Sequence, residues 1–230
     1  MRIAGLQKLS LVDYPGCLAA VVFVQGCNFR CGYCQNPDLV TLEKEFDCSE
    51  QEVLDYISRR RDMIDGVVIT GGEPVIYTDL PGFIKRVKDT GIKVKLDTNG
   101  TAPGQLRELL ASGLLDYVAL DIKTSLPKYV QLTDMDDIEG TISESVRQIM
   151  ASDIPYEFRT TCVPGIVDEK DIAEIGSLVD GAKRYCLQQF RPLITLDEKF
   201  EKVKPYTRKE LERFRDILLG FTEKVEIRGV

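Results

Sequence analysis

The stretch "LAAVVFVQGCNFRCGYCQN", Leu18 to Asn36, joins an apolar run to a loop carrying three cysteines. Leu18–Val24 is almost continuously apolar and rich in β-branched residues, as expected of a strand in a parallel sheet covered on both faces. The loop that follows sets Cys27, Cys31 and Cys34 close together in a chain with seven cysteines and no histidine. A structural zinc site needs four ligands, and C-x2-C knuckles come in pairs. Here there is no second C-x2-C and no imidazole. Thiolates also suit iron–sulfur clusters. A [4Fe–4S] cube held by three cysteines leaves one iron open to a substrate or cofactor. Cys17, Cys48, Cys162 and Cys186 are scattered and read as small buried hydrophobes.

Further apolar runs recur at Gly66–Thr70, Ile92–Asp97, Tyr117–Lys123, Tyr156–Val163 and Tyr185–Phe190. Helical stretches lie between them. Ser49-x-x-Glu52, Thr141-x-x-Glu144 and Thr207-x-x-Glu210 read as capping boxes at helix starts. Leu80–Thr90, Gln105–Ser112 and Asp171–Asp180 also fit helices, the first stopped by Gly91. Strands alternating with helices imply βαβ units with right-handed crossovers. Six repeats predict an α/β partial (β/α)6 TIM-like barrel with parallel strands, and a doubly wound sheet is the alternative. No linker or repeat divides the chain, so 1–230 reads as a single domain. Ser125–Gly140 reads as a polar loop, Lys199–Pro205 as a charged connection, and Lys224–Arg228 as a terminal edge strand.

Composition narrows the function classes. The 230 residues are 43% hydrophobic and 29% charged, as in globular domains. A net charge of −7 argues against general nucleic-acid binding. No apolar run reaches the roughly 18 residues that span a bilayer. The N-terminal apolar stretch, interrupted by Lys8 and Asp13, does not suit a secretory signal. The expected location is cytoplasmic.

In parallel α/β folds, ligands sit at the carboxyl ends of the strands. The cysteine loop follows the first predicted strand, and "TGGEP" (Thr70–Pro74) the second. "DTNG" (Asp97–Gly100) ends the third and "DIK" (Asp121–Lys123) the fourth. "RTTCVPG" (Arg159–Gly165) and "QQFRP" (Gln188–Pro192) finish the last two. Each alone has an ordinary structural reading, as a tight turn or an ion pair. Their coincidence at one rim beside an open iron is the functional signal. Glu73 suits an ammonium and Lys123 a carboxylate, which together describe an amino acid.

These motifs resemble those of radical S-adenosylmethionine enzymes: Cys27-x3-Cys31-x2-Cys34 with Tyr33 before the third cysteine, and Gly71-Gly72-Glu73-Pro74. The likeness covers almost the whole chain and is close to the glycyl-radical-enzyme activases. The opening "GLQKLSLVDYPGCLAAVVFVQGCNFRCGYCQNP" resembles the anaerobic ribonucleoside-triphosphate reductase activating proteins. The resemblance implies a [4Fe–4S] cluster on Cys27, Cys31 and Cys34, with S-adenosylmethionine chelating the fourth iron. By the same resemblance, Tyr33 and Gln35 contact the adenine side through the loop, and Gly72 and Glu73, beside Gly71, meet the methionyl amine. Asp121 and Lys123 hold the ribose and carboxylate region. Asp97 and Thr98, next to Asn99, stand where related activases bind a monovalent cation. Arg191 replaces a histidine found at the last strand of many relatives.

The implied chemistry is reductive cleavage of S-adenosylmethionine to a 5′-deoxyadenosyl radical, which takes a hydrogen atom from a glycine of a partner enzyme. It needs no imidazole base. The implied partners are a glycyl radical enzyme and a flavodoxin- or ferredoxin-like electron donor, with neither membrane nor nucleic acid. A radical enzyme acting on a small molecule or nucleic acid is the alternative. A non-catalytic iron–sulfur carrier fits the open iron poorly. Asp13-Tyr14-Pro15-Gly16 is expected near the barrel's lateral opening, as a turn before the first strand.

Overall fold

The computed structural model describes residues 1–46 and 48–230. Among these, eight strands form one open sheet in simple sequential order. They are β1 (Ile3–Ser10), β2 (Ala19–Val24), β3 (Gly66–Gly71), β4 (Lys93–Thr98), β5 (Tyr117–Asp121), β6 (Tyr156–Cys162), β7 (Tyr185–Gln189) and β8 (Val225–Arg228). Strands β2 to β8 run parallel. The crossovers carry α1 (Glu50–Arg60), α2 (Leu80–Lys88), α3 (Pro103–Ala111), α4 (Ile138–Met150), α5 (Glu169–Leu178) and α6 (Arg208–Leu218). Six βα units therefore precede a closing strand, the expected partial barrel, and Lys224–Arg228 supplies β8. No pairing joins β8 back to β1 among the described residues, so the barrel stays open.

Strand β1 pairs antiparallel with β2 and has no counterpart in the apolar runs. Its central positions are half-buried or exposed, with Gln7, Lys8 and Leu9 facing solvent. An edge strand with one solvated side carries too few apolar residues to announce itself.

Two cores explain why the central strands are apolar throughout. The larger lies between sheet and helices, where Val22, Ile69, Leu96, Leu120, Phe158 and Leu187 alternate outward. The smaller fills the concave side with Tyr14, Ala19, Val21, Val68 and Tyr117. Tyr14 packs on Tyr117 at 5.8 Å between ring centroids, and a Cβ added at Gly66 would stand 2.9 Å from the Tyr14 ring. The Asp13–Gly16 turn thus sits under the amino ends of β3 and β5, not at the lateral opening. Apolar contact with Tyr117 decides this, and the turn closes the base of the barrel.

Helix starts correct one reading and add another. The Ser49 and Thr207 capping boxes form as expected. Thr141 does not cap a helix, because α4 begins earlier behind Asp137, whose carboxylate accepts from the Gly140 N–H. Asp137 holds φ 46°, the one positive φ outside glycine among the described residues. Helix α5 starts behind Asp168, which forms a capping box with Asp171, an aspartate version of the Ser/Thr-x-x-Glu signature. The expected loop 125–140 contains a 3₁₀ turn at Leu126–Gln131, and another at Glu198–Lys202 lies in the expected charged connection. Cys162 and Cys186 are buried as anticipated, and Cys17 and Cys48 are half-buried.

Candidate active site

Splicing of two loops begins the site. Gly72 N–H donates to the Val24 carbonyl at 2.8 Å, and Glu73 N–H to the Gly26 carbonyl at 2.8 Å. The exit of β3 is thereby laid against the exit of β2. Only glycine permits the approach: a Cβ at Gly71 would come within 2.4 Å of Val24 backbone, and one at Gly72 within 2.0 Å of the Gly26 carbonyl oxygen. Gly71 also holds φ 118°.

This junction sets Glu73 deep in the barrel. One carboxylate oxygen accepts from Thr98 Oγ1 (2.7 Å) and the Val75 N–H (3.3 Å), the other from the Asn99 N–H (2.6 Å). Burial nevertheless pushes its pKa up to about 7, against the pull of those donors and of Lys123. Asn99 reaches on to the cysteine loop, where its amide donates to Asn28 Oδ1 at 2.9 Å, and Asn28 donates to Thr101 Oγ1 at 2.7 Å. Asn28 was not singled out from sequence. Its only signal is a hydrogen-bonding side chain directly after Cys27.

Below lies a chain of alternating charge built from inward-facing residues two apart on neighbouring strands. Lys95 bonds Asp97 at 2.5 Å, Asp97 pairs with Arg159 at 3.1 Å, Arg159 with Asp121 at 2.7 Å, and Asp121 with Lys123 at 3.0 Å. Burial opposes the Asp121 carboxylate, but Arg159 and Lys123 outweigh it and hold its pKa well below the usual range. Burial likewise opposes the Lys123 ammonium, and Asp121 outweighs it, keeping the lysine charged. Lys95 was missed, and Arg159 was read only as the first residue of a rim motif, because a charge inside a strand gives no sign of which partners it meets.

The cysteine loop is held from both sides. Arg30 N–H donates to the Leu132 carbonyl, while Leu196 N–H and Asp197 N–H donate to the carbonyls of Cys34 and Gly32. Gln35 Nε2 donates to the Arg191 carbonyl at 2.6 Å. Phe200 fills the space over Gly32, where a Cβ would lie 2.6 Å away, and meets the Tyr33 ring edge-on at 6.0 Å. The segment after β7 therefore straps across the open side of the rim.

Thirteen of the fourteen residues singled out from sequence line one cavity of about 200 Å³. Cys27, Cys31, Tyr33, Cys34 and Gln35 come from the loop after β2, and Gly71, Gly72 and Glu73 from the end of β3. Asp97, Thr98 and Asn99 come from the end of β4, and Asp121 and Lys123 from that of β5. Arg191 does not line it; the side chain is exposed, and its carbonyl serves the strap. Burial pushes the Cys27 thiol up to about 12 and also raises Cys31, with Lys123 opposing both shifts. Among the described residues no three His, Cys, Asp or Glu side chains converge to hold a single metal ion. A cubane does not require that, since each thiolate takes a different iron. Three thiols facing one cavity, with the half-buried Lys123 ammonium favouring the ionised form of Cys27 and Cys31, fit such a cluster.

The sequence pattern of the radical SAM superfamily matches residues 21–176, and the chain belongs to that superfamily. Its members work with a [4Fe–4S] cluster and S-adenosylmethionine. Within it, the curated relatives of this enzyme include glycyl-radical-enzyme activases. A Methanocaldococcus jannaschii chain, assigned provisionally as a glycyl-radical enzyme activating enzyme, is 35% identical over 99% of this chain and 96% of its own length. The pyruvate formate-lyase-activating enzyme of Clostridium pasteurianum is 29% identical over 88% of this chain and 86% of its own. Streptococcus suis SuiB bound to S-adenosylmethionine superposes with a TM-score of 0.67 at 16% identity, over 91% of this chain. The present chain spans 50% of that longer protein, and the likeness is one of fold. No helix among the described residues is long and apolar enough to cross a membrane.

Proposed function

We propose that residues 1–230 form a single radical SAM domain that installs a glycyl radical on a partner enzyme. The observation that carries the reading is the shared cavity, where three clustered thiols face the buried Glu73 and the half-buried Lys123 across the ends of four strands. Cys27, Cys31 and Cys34 would ligate the cluster. Glu73, flanked by the backbone of Gly71 and Gly72, would take the amine of S-adenosylmethionine, and Lys123 its carboxylate. Asp121, held ionised by Arg159, would accept from the ribose hydroxyls. Tyr33, Gln35, Thr98 and Asn99 would complete the walls. The bound groups would supply one-electron reductive cleavage followed by hydrogen-atom abstraction. The chain's own part is orientation of the methionyl group and exclusion of water, with no proton-transferring base required.

The partner we favour is an anaerobic ribonucleoside-triphosphate reductase, on the likeness of the opening 33-residue segment, with a flavodoxin- or ferredoxin-like protein as electron donor. The Clostridium relative supports a second reading in which the partner is a pyruvate formate-lyase. Anaerobic reconstitution should give one cluster per chain, lost when Cys27, Cys31 or Cys34 is replaced by Ala. Glu73→Ala and Lys123→Ala should each weaken S-adenosylmethionine binding by roughly 1.5–3 kcal/mol, the worth of a charge-assisted hydrogen bond. Reduced protein is then incubated with each candidate partner and an electron paramagnetic resonance spectrum recorded. A glycyl doublet that collapses on α-deuteration supports the activase and picks the partner. No doublet with either, alongside turnover of a free metabolite, would refute it.

A further inference from the structure

Tyr33 lies between two residues read as cluster ligands, Cys31 and Cys34, and its side chain is buried. Its ring is fully accounted for by packing on Phe200. Its hydroxyl is not: Tyr33 Oη is shut off from solvent and has no hydrogen-bond partner. A buried hydroxyl without a partner is destabilising, and phenylalanine would pack on Phe200 as well. The polar and titrating groups around Tyr33 Oη are Cys31, Tyr129 and Asp121. Asp121 is committed to Arg159 and Lys123, and Tyr129 Oη accepts the Lys123 N–H at 2.9 Å. Of the three, Cys31 is the one whose side chain stands within hydrogen-bonding reach of the Tyr33 hydroxyl.

We propose that the Tyr33 hydroxyl donates a hydrogen bond to the Cys31 thiolate of the bound cluster and thereby raises its reduction potential. This rests on the reading that Cys27, Cys31 and Cys34 hold the cluster. Reduction adds negative charge that spreads onto the ligating sulfurs, and a donor aimed at one of them favours the reduced form. Burial strengthens the effect, because no water competes for the sulfur or screens the charge. Tyr33 is in this sense a positioning and tuning residue whose side chain acts through Cys31.

The test is a redox titration of reconstituted protein, read by the electron paramagnetic resonance of the reduced cluster. Tyr33→Phe should lower the reduced-to-oxidised ratio at the wild-type midpoint about tenfold, a shift of about 59 mV for a one-electron couple. Replacement of Tyr33 by 3-fluorotyrosine keeps the hydroxyl and makes it a stronger donor, so the ratio should move the other way. Tyr56→Phe, whose hydroxyl donates to the Lys8 carbonyl away from the site, should leave the midpoint unchanged. A cluster with an unmoved midpoint in Tyr33→Phe overturns the inference while leaving the cluster assignment standing. If Tyr33→Phe takes up no cluster, the fluorotyrosine protein decides, and an unmoved midpoint there overturns it. Failure of the wild-type chain itself to take up a cluster defeats the reading beneath.

Discussion

Replacing Arg159 by methionine removes the middle of the buried charge chain, and the structure fixes what is left behind. Arg159 is 9% exposed and pairs with both Asp97 and Asp121. Without it, Asp97 keeps Lys95 and Asp121 keeps Lys123. Breaking a buried pair costs about 3–5 kcal/mol when a charge is left uncompensated. Each carboxylate retains one cation here, so the expected cost is at the lower end, about 3 kcal/mol. With a urea m-value of about 3 kcal/mol/M for a chain of this size, the midpoint should fall by about 1 M at unchanged m. The assay is urea unfolding of the cluster-free chain, followed by circular dichroism under reducing, anaerobic conditions. The pH dependence carries a sign. Arg159 depresses the Asp121 pKa, so its contribution is complete above the carboxylate range and lost as pH falls through it. The gap between wild type and Arg159→Met should therefore narrow as the pH is lowered. A midpoint shift below about 0.2 M at neutral pH would refute the reasoning, showing the chain to be solvent-screened like a surface pair.

Gly72→Ala should abolish cluster uptake with far-ultraviolet dichroism retained, because its Cβ meets the backbone of Gly26 and forces the two loops apart. The control, Gly82→Ala, has open space and a helical position, and should be stabilising by about 0.5–1 kcal/mol. Glu73 has its pKa raised from 4.5 to about 7 by burial, so the folded state binds the proton more tightly. Stability of the cluster-free chain should fall as pH rises between those values, by on the order of 3 kcal/mol in all, and the slope should vanish in Glu73→Ala. Asp137→Ala loses a helix cap and strains a left-handed backbone, so it should cost about 2 kcal/mol in thermal unfolding; Asp137→Gly should recover about half.

Strand runs, helix stops and the cysteine loop were legible because each is local. Alternating apolar blocks mark βα units whatever they pack against, and the chemistry-bearing residues stand where parallel strands end. The same locality misled at Thr141, where a capping signature lies inside a helix that Asp137 starts one turn earlier. It was silent on β1, whose solvated edge leaves little apolar pattern.

The sequence by itself determined the class of fold, the three thiols and the rim of glycines and charges gathered near them. Spacing along one chain is enough for those, since ligands at i, i+4 and i+7 on a single loop need no distant partner. Only the tertiary structure decided how they are held. Asn28 meets Asn99, Arg159 joins Asp97 to Asp121, and the segment carrying Leu196 and Phe200 straps back onto the cysteine loop from the far end of the sheet. These contacts arise when the sheet curves and brings strand ends together. A hydrogen bond or ion pair falls off within a few ångströms, so its partner is fixed by the curvature of the whole barrel and not by any local pattern.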